Sequence, residues 1–189
     1  MGDHVCRIAG YRTLIVPMKA EESVNPSGIS AGDFLEISDL LMSDENALRF
    51  RWEGRMSSEQ FIGPNTRIRV RPRLTAARWP GNIDAAARVS GMLTDNAVVH
   101  AKPLAGNVIA ICLMCPQDSD VLIIEVTDGL ADFPGFDELS TRREARGKPC
   151  GLWWVHHYRA SVAWRINYDD VGQPVGKTVQ VVMPKDWGQ

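Results

Sequence analysis

The sequence predicts an α/β chain of the α+β kind, a two-layer sandwich with a mixed sheet and helices on one face. One observation is a long stretch after residue 82 with apolar side chains at helical spacing. Two strand-like apolar runs follow it, and a second helix-then-two-strands pattern recurs near the C-terminus.

Residues 1–49 read as an acidic N-terminal extension and 50–189 as the domain proper. The extension has an apolar patch, Thr13-Leu14-Ile15-Val16, stopped by Pro17, and a turn at Asn25-Pro26-Ser27-Gly28. A later segment, Phe34–Met42, places Phe34, Ile37 and Leu41 at helical spacing, which suits a partner-binding or dimerising element or a cover for part of the domain. From Thr66 to Leu74 arginine alternates with other residues, and Pro72 disfavours a helix interior. This predicts an extended segment to about Arg71 with Arg67, Arg69, Arg71 and Arg73 on one face, then a short helix through Arg78, broken at Trp79-Pro80-Gly81-Asn82.

A helix is expected from Ile83 to Ala101, with Ile83, Ala86, Ser90, Leu93 and Ala97 as its core stripe and Met92, Asn96 and His100 on an adjacent edge. Strands Val108–Cys115 and Val121–Thr127 follow, joined by the polar loop 116–120, and Asp128-Gly129 ends the second. A charged, Pro- and Gly-rich loop leads to a helix at Leu152–Tyr158, a strand Ser161–Tyr168, a turn through Gly172–Gly176 and a last strand Thr178–Met183.

The chain has 189 residues, 44% of them hydrophobic, enough to bury one core. No stretch approaches the roughly 20 apolar residues of a membrane helix, and Met1-Gly2-Asp3-His4 does not open a secretory signal, so a cytoplasmic protein without membrane contact is expected. Residues 1–48 carry a net charge of −5 and residues 49–79 a net of +6, against −2 for the whole chain. The simpler reading of that split is mutual packing or solvation. Nucleic acid is a poor fit to a net-negative chain without a recognised binding motif.

Four cysteines, Cys6, Cys112, Cys115 and Cys150, are too few for a disulfide framework. Cys112 and Cys115 have the spacing of half a zinc site, but three residues apart on a strand they point to opposite faces and read as small core residues. Trp153, Trp154, His156 and His157 could line a cleft. Tryptophans on a helix packed on a sheet read better as core, and adjacent histidines diverge too far for a shared metal.

Three motifs, in order and spacing, bear on chemistry: Leu93-Thr94-Asp95-Asn96 through Ala101; Val126-Thr127-Asp128-Gly129 with Phe133-Pro134-Gly135-Phe136; and Gly176-Lys177-Thr178-Val179. Together, over residues 80–184, they resemble the histidine-kinase-like ATPases of the Bergerat fold, nearest to bacterial anti-sigma-factor serine kinases and stand-alone ATP-binding regulators. The resemblance implies that Asn96 helps hold Mg²⁺ against the phosphates of ATP, that Asp128 accepts from the adenine amino group and that Thr178 supports that contact. It also implies that Gly151 opens a helix whose N–H groups face phosphate. Asparagine near a helix end and Asp-Gly at a strand end have bland readings too, as local backbone bonding and a turn.

The departures matter as much. Where the family carries its general-base glutamate this chain has Met92, and a thioether accepts no proton; losing a positioned base costs about 10² to 10⁴ in rate. Asp95 and His100 are the substitutes nearby in sequence. Leu130 replaces a small residue after the aspartate, and Pro149 replaces a glycine in the phosphate loop, removing an N–H donor. The expectation is a regulator with weak or lost ATP and Mg²⁺ binding, acting on a sigma factor or anti-anti-sigma-type protein, with homodimerisation implied by the family. The alternatives are an ATP-dependent serine kinase using another base, and a biosynthetic enzyme that has reused the cleft for a small molecule.

Overall fold

In a computed structural model of the protein, the residues described are 47–136 and 151–186. Thr13–Val16, Asn25–Gly28, Phe34–Met42, Cys6, Pro149 and Cys150 lie outside them. Eight elements follow in order: β1 (Leu48–Ser57), α1 (Ile62–Ala76), α2 (Ile83–His100), β2 (Val108–Pro116), β3 (Leu122–Asp128), α3 (Trp153–His157), β4 (Ser161–Tyr168) and β5 (Pro174–Met183).

Strand β1 was not expected, and it begins just before the division drawn at residue 49. Its pattern is period two: Phe50, Trp52 and Met56 turn towards the helices between exposed Arg51, Glu53 and Arg55, while Leu48, across a register shift, packs on the opposite face. Helix α1 replaces the extended segment expected to Arg71. Ile62, Thr66, Val70 and Leu74, spaced by four, are all buried and form one continuous stripe. The arginines, two residues apart, therefore spread round the helix instead of sharing a face. Pro72 lies inside α1, where it removes a backbone donor at a cost of about 3 kcal/mol. Packing of the stripe offsets this cost, including a buried contact of Thr66 Oγ1 with Thr94 Oγ1 at 3.0 Å.

The expected helix at Ile83 is present as α2. Asn82 caps it, its Oδ1 accepting from the Ala85 N–H at 2.9 Å, and Asp84 stands in the positive first turn. The buried set is wider than the expected stripe and takes in Ala85, Ala87, Val89 and Met92, because α2 packs against the sheet on one side and α1 on the other.

The sheet has the order β1-β2-β3-β5-β4 and every neighbouring pair is antiparallel. The mixed sheet expected from the element order is thereby corrected, the α+β class retained. The reason is the tight β4–β5 turn, where Asp169 Oδ1 accepts from Val171 N–H at 3.1 Å and Gln173 N–H at 2.8 Å. That hairpin makes β4 and β5 antiparallel neighbours, and β5 rather than β4 lies beside β3, so β3 and β4 do not become parallel neighbours.

The main core lies between sheet and helices, with Ile111, Leu113, Ile124, Val126 and Val181 meeting Leu74, Val89, Leu93 and Val155. A smaller cluster on the other face joins Met114, Ile123 and Val182, with Leu48, Cys112 and Val121 beside them. Cys112 and Cys115 are free thiols on opposite faces, as the strand period requires. Among the described residues, no helix is long and apolar enough to cross a membrane.

Candidate functional site

Asp128 is the last residue of β3, and the register of β3 with β5 sets it directly opposite Lys177. Opposite residues of an antiparallel pair share a face, and both side chains are buried there, at 2% and 6% exposure. Lys177 Nζ donates to Asp128 Oδ1 at 2.9 Å and to the Leu130 carbonyl at 3.2 Å. The Leu130 N–H donates to the same Oδ1 at 2.9 Å. Gly176 permits this closeness: a Cβ there would collide with the Asp128 carbonyl.

Aromatic rings close over the pair. Lys177 Nζ lies 5.6 Å from the centre of the Phe133 ring, a cation–π contact. Phe133, Phe136 and Trp164 meet one another at centroid distances of 5.1, 6.0 and 6.2 Å. Burial pushes the Asp128 carboxyl above its usual range, while the Leu130 N–H and the lysine ammonium pull it the other way. The corner is a dry, charge-compensated closure in which Asp128 Oδ1 already accepts two bonds from its own chain.

The other expected site residues are dispersed. Thr178 belongs to the opposite face, where its Oγ1 meets Thr127 Oγ1 at 2.9 Å and Asn167 Nδ2 at 3.1 Å, so it does not share a face with Asp128. Asn96 is half-buried near the end of α2, Met92 on the same edge is buried in the core, and His100 is exposed. Asp95 turns towards α1, whose N-terminus has no side-chain cap of its own, and its Oδ1 accepts the Gly63 N–H at 2.9 Å. It serves as a capping group.

Gly151 precedes α3 with φ +57, a conformation that favours glycine. Helix α3 is five residues long, and the N–H groups of Trp154, Val155 and His156 bond back to the carbonyls of Gly151 and Leu152. The aromatic cluster holds α3 down: Trp153 stacks on His157 with a centroid separation of 4.8 Å and meets Trp154 edge-on at 4.9 Å, and Arg88 of α2 lies 4.8 Å over Trp154. Among the described residues, no group of three or more His, Cys, Asp or Glu side chains is placed to hold a metal ion. As arranged, Asp128 and Thr178 do not assemble the adenine contact that the resemblance implies, since one is bonded within the chain and the other lies across the sheet.

Lys177, the buried partner of Asp128, is the residue of this corner that sequence reasoning missed. The signal was strand parity: Val179, Val181 and Met183 are core residues, so Lys177 shares their face and Thr178 does not. No family model matches the chain, and no curated protein matches it.

Proposed function

We propose that the protein is a regulator acting through protein contacts, built on a nucleotide-type frame whose pocket is closed by its own lysine. The observation that carries this reading is the doubly bonded Asp128 Oδ1, held by Lys177 Nζ at 2.9 Å and Leu130 N–H at 2.9 Å in a corner sealed by Phe133. An adenine amino group bonding to that oxygen would compete with a buried ammonium for its counter-charge in a low-dielectric site. Met92 in the core, without proton-accepting capacity, supports the absence of phosphoryl transfer by the family route. The partner class carried by the resemblance is a sigma factor or its antagonist.

Calorimetric titration of the full chain with Mg²⁺ and ATP or ADP tests the reading. It expects no micromolar binding. Micromolar binding that disappears in Asp128→Ala, with radiolabel transfer from ATP to a protein partner, would replace it with the kinase alternative.

A further inference from the structure

The face of the sheet turned away from the helices holds side chains that are too deeply buried for an open surface. Across β2, β3 and β5 the register aligns Met114, Ile123 and Val182 in one row, exposed by 0%, 0% and 3%. The next row aligns Cys112, Glu125 and Gln180, and Gln180 is 1% exposed. Side chains on the uncovered face of a two-layer sandwich keep contact with water, and long Glu and Gln side chains keep most of it. No residue of α1, α2 or α3 belongs to this cluster. Gln180 Oε1 is moreover buried without a hydrogen-bond partner, an acceptor aimed away from the core.

The position of the cluster and the chemistry of the chain identify what covers it. Leu48, the first residue of β1, packs against the cluster, so the described N-terminal part begins at this face. Met42 is six residues earlier, within about 20 Å of Leu48 even if fully extended. Phe34, Ile37 and Leu41 supply an apolar stripe of the kind a sheet face takes up. Asp33, Glu36, Asp39, Asp44 and Glu45 flank that stripe without a single basic residue. The edge strands of the face carry a net opposite charge: Arg51 and Arg55 on β1 and Arg165 on β4 are aligned with Met114, Ala110 and Thr178 respectively, against Glu53, which pairs with Arg51, and Glu125, which pairs with Arg165.

We infer that the Phe34–Met42 segment of the same chain docks across this face, setting Phe34, Ile37 and Leu41 against Met114, Ile123 and Val182 between the two arginine-bearing edges. The acidic extension is then an integral third layer.

Photo-crosslinking of the full-length protein with p-benzoyl-phenylalanine placed at position 37 tests this. The expected product is an intrachain link to a peptide containing Met114, Ile123 or Val182; a link to α1 or α2, or one joining two chains, would overturn the assignment. A second measurement follows alkylation of Cys112, the thiol beside the cluster, by mass spectrometry. The triple variant Phe34→Asp, Ile37→Asp, Leu41→Asp should raise its rate about tenfold or more with the far-ultraviolet circular dichroism retained. An unchanged rate, or a rise produced instead by Leu14→Asp, Ile15→Asp, Val16→Asp, would sink it.

Discussion

Strand β3 carries two buried carboxylates three residues apart, Glu125 and Asp128, and they look out of opposite faces of the sheet. Asp128 meets a full positive charge at 2.9 Å, a backbone N–H and an aromatic lid. Glu125 meets the neutral amide of Gln180 at 3.0 Å and Arg165 at 3.4 Å, the arginine reaching across from the edge strand. The comparison teaches that the residue opposite on β5, and not the carboxylate itself, decides what each position does. Lysine turns Asp128 into a closed corner, whereas glutamine leaves Glu125 in a polar row that bonds laterally across strands.

The sharpest test of that contrast is Lys177→Met, which leaves Asp128 buried without its counter-charge. Urea denaturation should show a loss of about 3–5 kcal/mol, and adding Asp128→Leu should restore much of it, because the two charges stabilise only as a pair. On the other face, Gln180→Leu should cost only about 1–2 kcal/mol in the same assay. It removes one hydrogen bond to a charged group, but also an unsatisfied acceptor, and Glu125 keeps Arg165. Equal losses at Lys177 and Gln180 would erase the distinction.

Asp95 offers a third carboxylate in a half-exposed setting, where it acts only as a helix cap. Asp95→Ala should cost about 1 kcal/mol and leave the other two pairs intact. A pH series separates burial from pairing at Asp128. Its folded-state carboxyl titrates above the ordinary range, so the folded protein holds the proton more tightly than the unfolded chain. Its contribution to stability is fully present below the unfolded value and is lost as pH rises through the raised one. Measured by urea denaturation, the stability of the wild type relative to Asp128→Asn should therefore fall over that window. A rise would mean that the lysine outweighs burial.

Much of this arrangement was legible in the sequence. The α2 stripe, the β2 and β3 runs and the β4 strand fall within a residue or two of where apolar periodicity put them. Helix α1 was hidden because Pro72 and the alternating arginines mimic an extended chain, while one member of its buried stripe is the polar Thr66. Strand β1 was hidden because its arginines drew notice as a charge block although Leu48, Phe50 and Trp52 alternate with them. The antiparallel sheet depends on β5 entering between β3 and β4, a tertiary choice that no local pattern encodes. At this corner the sequence reading singled out Asp128 but not the lysine opposite it. Parity counted back from Val179 would have found Lys177.

The insertion of β5 between β3 and β4 also has a kinetic consequence. The pairs α1–α2, β2–β3 and β4–β5 join neighbours in sequence and close short loops, whereas β1–β2 and the β3–β5 seam are long-range, the seam joining residues 49 apart at Asp128 and Lys177. The β4–β5 hairpin closes locally, and the seam unites it with the β1-β2-β3 half. Lys177 sits at the seam's last rung, so its loss should speed unfolding in stopped-flow experiments while leaving the refolding rate nearly unchanged. The ion pair is then a latch on a finished structure, fastened after the halves have met.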